Sequence, residues 1–327
     1  MENLNLIILL ILFGISLGGL IKGADWLIEY SSTLARRVQV SELTIGLTVV
    51  AMGTSLPEFA VSVSSALKGS GSLALGNVLG SNITNISLVF GLVTLVFTVV
   101  LDKVRIYDIF MSGSLVLFFA LLAFFVVGYP IHPDSSFTPV SGCLLLIFFI
   151  VFLLRLLFSP PEEKNEANEA DTAGLVRVIL GVLLGLALVY GGGQLTVDTG
   201  VAIAQKLNLS EEVIGLSAVA IGTSLPELVA GMAAAKKGHA GMLVGNVMGS
   251  NIFNMSLVLG VSMATQPILP YQHLFRDIFW LLGITLLFSV ILFWRRKREV
   301  PRILGGSFFV IYLLFLGDLF LRSGAHQ

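Results

Sequence analysis

Charge is scarce in this chain. Only 12% of its 327 residues are Asp, Glu, Lys or Arg, about half the share of an ordinary soluble domain, which excludes a soluble globule. Cysteine is nearly absent: Cys143 stands alone, so no internal disulfide can form and the redox compartment is not encoded. The four histidines, His132, His239, His273 and His326, fall near loops and ends and form no ligand cluster. Net charge is −1, so nothing favours a nucleic acid as partner. The N-terminus lacks the basic start of a secretory signal. It opens Met1-Glu2-Asn3 and turns apolar from Leu4 to Leu20, as expected for a retained first span.

What is present is hydrophobic. Apolar residues make up 56% of the chain and mean hydropathy is +0.94. The apolar runs are long enough for helices of about 20 residues, so the fold class is an all-α integral membrane protein with about ten transmembrane helices. They are expected near 4–36, 43–67, 72–100, 106–128, 138–158, 174–206, 212–236, 241–266, 273–294 and 302–321. The first and sixth exceed one bilayer crossing and should run tilted. Pro160-Pro161 and the following Glu162-Glu163-Lys164-Asn165-Glu166 mark a solvated linker over 159–173. It separates a first five-helix unit, 1–158, from a second, 174–327.

The two units are repeats. Gly53-Thr54-Ser55-Leu56-Pro57-Glu58 returns as Gly222-Thr223-Ser224-Leu225-Pro226-Glu227. Gly80-Ser81-Asn82-Ile83-Thr84-Asn85 returns at the same offset as Gly249-Ser250-Asn251-Ile252-Phe253-Asn254. Segments 46–91 and 215–260 align without a gap. An odd number of crossings per unit inserts the second upside down, the inverted arrangement of many secondary transporters. Basic residues set the orientation. Arg36, Arg37, Lys103, Arg105, Arg155, Lys164, Lys236, Lys237, Arg295, Arg296, Lys297, Arg298 and Arg302 gather on one side; only Lys68, Lys206, Arg276 and Arg322 fall on the other. The first side is expected to be cytoplasmic, with the linker there and both termini outside. Arg295–Arg298 has a second reading as a lipid-binding patch.

Each motif puts a carboxylate into a segment that otherwise spans lipid, where acidic residues are costly and mark function. Pro57 has no N–H to give the Gly53 carbonyl and disfavours helical geometry at Leu56. The chain is therefore expected to unwind over Gly53–Pro57, freeing carbonyls such as those of Ala51 and Thr54. Such carbonyls must line a cavity or hold an ion. Ala220, Thr223, Pro226 and Glu227 repeat the pattern. Asn85 and Asn254 lie mid-helix with Ser81 and Ser250 one turn earlier on the same face. Gly76, Gly80, Gly91, Gly245, Gly249 and Gly260 suit close helix approach. Every donor is a hard oxygen, which fits Na⁺, Ca²⁺ or the more demanding Mg²⁺ and argues against zinc or copper. The plain alternative for any one hydroxyl is glue between helices. Lys22, Asp25 and Glu29, at helical spacing, are expected to satisfy one another, and Asp318 to sit at the interface.

These motifs resemble the two alpha repeats of the calcium/cation antiporter superfamily, and most of all its prokaryotic sodium/calcium exchangers, relatives of the potassium-dependent exchangers. The resemblance covers nearly the whole chain and implies a prokaryotic inner or plasma membrane. It implies that Glu58 and Glu227 are paired Ca²⁺ and Na⁺ ligands. Thr54, Ser55, Ser81 and Asn85 would contribute from one half and Thr223, Ser224, Ser250 and Asn254 from the other, with the Ala51 and Ala220 carbonyls completing Na⁺ subsites. It implies exchange of several Na⁺ for one Ca²⁺ by alternating access, the first and sixth helices sliding over the rest. Asn254 departs from the Asp that many members carry, which removes a charge and puts K⁺ co-transport in doubt. The expectation is thus a transporter with no cofactor and no catalytic residue, not an enzyme. Ca²⁺/H⁺ or Na⁺/H⁺ exchange is the alternative, and a passive cation channel a more distant one.

Overall fold

The computed structural model describes residues 4–101, 104–129, 131, 135–158, 174–206 and 220–324. Among them there is no strand, only two isolated bridges, Val100 with Glu299 and Phe137 with Ile268. Helices α1 (Leu6–Arg37) and α7 (Leu175–Lys206) are each 32 residues long. Between them come α2 (Glu42–Thr54), α3 (Leu56–Leu67), α4 (Gly71–Val96), α5 (Ile106–Val127) and α6 (Pro139–Leu157). After α7 follow α8 (Ala220–Thr223), α9 (Leu225–Lys236), α10 (Ala240–Thr265), α11 (Leu274–Trp294) and α12 (Arg302–Gly324).

Local chemistry sets the boundaries. Asn5 Oδ1 accepts the Ile8 N–H at 2.8 Å and caps α1, whose last turn carries Arg36 and Arg37 against the negative end of the helix dipole. Ser41 caps α2 through the Thr44 N–H at 3.1 Å. After α3 and α9 the chain reverses through Gly69 (φ +81°) and Gly238 (φ +79°), equivalent positions of the two repeats where a side chain would be strained.

Eight helices are long and apolar enough to cross a membrane, and α2 with α3, bent by 51°, makes a ninth among the described residues. The chain is an integral membrane protein. The span expected at 212–236 is described only from Ala220 onward, so part of it lies outside the described residues. The 159–173 linker lies outside them entirely.

Two helices form the centre. The apolar windows of α4 and α10 are each 83% buried, against 22% to 44% for the six other unbroken spans. Glycine lets them approach their neighbours. A Cβ on Gly245 would lie 2.4 Å from the Leu43 carbonyl oxygen, and one on Gly249 2.6 Å from that of Leu47. Gly91 packs on Phe308 and Gly260 on Leu146 in the same way. At Gly76 and Gly80 no described atom comes within 4 Å of where a Cβ would stand. The repeat offset places their counterpart neighbours mostly in 207–219, outside the described residues.

Two expectations about charge are corrected. Lys22, Asp25 and Glu29 do not satisfy one another. Lys22 Nζ lies over the Trp26 ring, 5.6 Å from its centre, while Glu29 and the Asp25 carbonyl take Lys237 at 3.3 and 2.6 Å. Asp318 is not a loose interfacial charge. It is buried and held by Arg276, Arg322 and the Trp280 indole N–H, and Arg322 also bonds Asp277 at 2.6 Å. Paired charges at a helix end escape most of the cost of an isolated one.

Gly245→Ala should lower stability by about 1–3 kcal/mol, because the new methyl overlaps backbone that cannot yield. Gly317→Ala, with no atom within 4 Å of its Cβ, should be neutral or slightly stabilising. Thermal unfolding of the two purified variants in one detergent measures the difference in sign.

Candidate cation site

Where α2 gives way to α3, Ser55 leaves helical geometry (φ −88°, ψ 10°), and Pro57 sits in the first turn of α3. Ser224 (φ −91°, ψ 3°) and Pro226 do the same ahead of α9. Proline costs nothing there because first-turn N–H groups lack intrahelical partners anyway. The interruption is narrower than the sequence suggests. The Ser55 N–H still donates to the Ala51 carbonyl at 3.0 Å and the Phe59 N–H to the Ser55 carbonyl at 3.1 Å. The Ala51 carbonyl is therefore not freed by unwinding. It keeps its helical bond and is approached besides by the Thr54 and Ser250 hydroxyls at 3.3 and 3.5 Å.

This geometry places Glu58 and Glu227 in the first turns of α3 and α9, where the positive end of the helix dipole favours a carboxylate. Both are 0% exposed, and the two interact electrostatically with each other. The first repeat reaches across to the second: Ser55 Oγ donates to Glu227 Oε1 at 2.8 Å. Ser250 Oγ lies 3.3 Å from the same oxygen. Thr54 Oγ1 donates to Asn246 Oδ1 at 3.1 Å and lies 3.5 Å from Ser250 Oγ.

The other half of the cluster lacks these bonds. Ser81 is near enough to influence Glu58, yet neither Glu58 carboxylate oxygen has a hydrogen-bond partner among the described residues. The same holds for Thr223 Oγ1, Ser224 Oγ, Glu227 Oε2, Asn85 Oδ1 and both side-chain polar atoms of Asn254. A buried, unmatched polar atom costs about 1–3 kcal/mol, so a concentration of them, most of them oxygens, is unusual in a helical core. All the oxygens are hard. No group of three His, Cys, Asp or Glu stands together among the described residues.

Of the twelve residues expected at the site, Ala51, Thr54, Ser55, Ser250 and Glu227 meet in one hydrogen-bonded cluster. Glu58 and Ser81 adjoin it. Asn85, Asn254, Thr223 and Ser224 are buried on the helices that build it. Ala220 opens α8, its side chain outside the described residues. Sequence reasoning missed three amides. Asn246 receives Thr54, while Asn82 and Asn251 clasp each other: each donates its amide to the other's backbone carbonyl, at 3.3 and 3.2 Å. Asn251 Oδ1 also accepts from Asn85 at 3.2 Å. All three lie in the repeated block at the common offset, which was the available signal.

Known proteins share this architecture. A family model described as sodium/calcium exchanger protein matches residues 8–158 and 177–320. The sodium/calcium exchanger MaX1 of Methanosarcina acetivorans is 30% identical, covering 98% of this chain and 99% of its own. Inner membrane protein YrbG of Escherichia coli is 35% identical over 88% of this chain and 90% of its own. The solved structure of the sodium-calcium exchanger NCX_Mj soaked with 10 mM Na⁺ and zero Ca²⁺ superposes with a TM-score of 0.84 at 31% identity, covering 96% of this chain and 100% of that one.

Replacing Asn82 by Ala should destabilise the protein by about 1–2 kcal/mol, at the upper end for interhelical hydrogen bonds in membranes. Asn251→Ala should do likewise, and the double variant should lose less than the sum. Thermal unfolding of the three proteins closes the cycle.

Proposed function

This chain belongs to the sodium/calcium exchanger family, and from that premise we propose that it is a secondary antiporter exchanging several Na⁺ for one Ca²⁺ by alternating access. One observation carries the reading. Two wholly buried glutamates, equivalent in the two repeats, face a shared cluster in which Ser55 of one repeat bonds Glu227 of the other at 2.8 Å. Two carboxylates offset the charge of one Ca²⁺ or of two Na⁺. Calcium takes six to eight oxygens in flexible geometry, and the unmatched oxygens of Glu58, Glu227, Thr223, Ser224, Asn85 and Asn254 supply such a set. Thr54, Ser55, Ser81, Ser250 and the Ala51 and Ala220 carbonyls complete the proposed ligands for Na⁺.

The proposed topology is two inverted five-helix repeats, 1–158 and 174–327, with the 159–173 linker cytoplasmic and both termini outside. The unequal pairing of the two glutamates supports alternation. Inverted repeats exchange conformations when the access side changes, so the repeat that satisfies its partner's glutamate in one state leaves it bare in the other. The moving part is the pair α1 and α7. They pack on each other through reciprocal glycines, a Cβ on Gly23 standing 2.6 Å from Leu188 and one on Gly192 2.7 Å from Leu20. Small-residue contacts of this kind let backbones slide as a unit.

The competing reading is proton-coupled exchange, in which the same glutamates trade a cation for protons. An outward Na⁺ gradient should drive Ca²⁺ into proteoliposomes at constant pH, and a pH gradient alone should not; the opposite outcome assigns the proton-coupled mode. Glu227→Gln should abolish Na⁺-driven uptake while eluting as the parent does, so near-normal flux would remove Glu227 from the site. Asn254→Asp restores a charge at a fully buried position and should change the cation dependence of uptake, including its response to K⁺.

A further inference from the structure

One groove of the molecule has no place in ion exchange. Helices α5 and α11 part along a cavity of about 770 Å³ with walls that include Ile109, Phe110, Leu117, Leu282, Leu286 and Val290. It runs from Leu117 and Leu282 to Ile106 and Trp294, at the ends of the two helices. Just past that mouth stand Arg105 on one side and Arg295, Arg296, Lys297 and Arg298 on the other. The basic turn is fastened: the Lys297 N–H donates to the Leu101 carbonyl at 2.6 Å and the Leu101 N–H to the Arg298 carbonyl at 3.0 Å. Lys297 adopts φ +64° to make that turn. None of these five cations pairs with a described acid. The nearby Asp108 is already taken by Arg155.

We propose that this groove is a site for one anionic phospholipid, its acyl chain lying between α5 and α11 and its phosphate held by Arg105 and the Arg295–Arg298 turn. A topology signal requires basic residues on one side of the membrane but no particular geometry. Here they are pinned at the open end of an apolar slot, and basic pockets between transmembrane helices bind anionic headgroups. Arginine suits phosphate through its paired donors. Tyr107 and Trp294, 71% and 76% exposed, flank the mouth where aromatic residues mark the interface. Further in, Ser289 Oγ and Thr285 Oγ1 lack partners among the described residues. Ser289 lies about 7.5 Å along the helix from Trp294. That is the inner edge of the interfacial layer, about 5–7.5 Å deep, so its hydroxyl is placed to meet an ester carbonyl.

Native mass spectrometry of the full chain, equilibrated with equal phosphatidylglycerol and phosphatidylcholine, tests this. Phosphatidylglycerol should be retained about tenfold over phosphatidylcholine. The double variant Arg295→Gln/Arg296→Gln should erase that preference. Gly283→Leu, which puts a side chain where no atom lies within 4 Å, should cut retention of the lipid at least fivefold. Should that variant fail to fold, Ser114→Leu on the facing wall replaces it. Millimolar inorganic phosphate should not displace the lipid. Equal retention of both lipids, displacement by free phosphate, or a groove variant that binds like the parent would each overturn the proposal. The readout needs no transport, so its outcome is independent of the exchange reaction.

Discussion

The structure depends on keeping two carboxylates wholly buried inside a membrane protein. Glu58 and Glu227 are both 0% exposed, and an ionised carboxylate in that setting is expensive unless fixed dipoles or a counter-charge meet it. The fold answers with pieces the sequence had to place one by one. Proline in the first turn starts a new helix whose N-terminal dipole points at each carboxylate. For Glu227, hydroxyls of Ser55 and Ser250 supply donors. Under the proposed function a cation supplies the counter-charge.

Symmetry and its violation sit side by side in this core. Asn82 and Asn251, equivalent positions of the two repeats, exchange equal hydrogen bonds. A few residues away the balance fails. Glu227 takes Ser55 and Ser250, while Glu58 and the hydroxyls of Thr223 and Ser224 take none from described residues. The amide clasp is a fixed point between α4 and α10, the two most buried spans. Under the proposed function the unequal glutamates are the element that an alternating mechanism would act on. The outer helices show the same division of labour: α11 gives one face to Asp277 and its arginine network and another to the α5 groove.

Much of the site was legible because a repeat is a strong constraint. One carboxylate in an apolar run is ambiguous, whereas the same Thr-Ser-Leu-Pro-Glu string twice at one offset is not. What escaped was cross-repeat contact. Asn82 and Asn251 were overlooked because a mid-helix asparagine in a membrane span reads as generic glue until its partner is known. The unwinding expected at Gly53–Pro57 was overstated for a related reason. Proline forbids one hydrogen bond, but at a first helical turn that bond is not needed, so only Ser55 leaves the helix.

The sequence by itself determined the class of solvent, the existence and repetition of the motifs, the hardness of every donor and the residues that carry charge into the membrane. These follow from composition and from period, which are local or self-referential properties. Only the tertiary structure decided that α4 and α10 form the centre, that among the described residues Glu227 and not Glu58 takes a hydrogen bond from the opposite repeat, that Lys237 holds α1 in place of the expected Lys22–Asp25–Glu29 set, and that a basic turn stands at the mouth of an apolar groove. Each of these is a relation between residues far apart in the chain. Distance along a sequence places no bound on them; helix packing does.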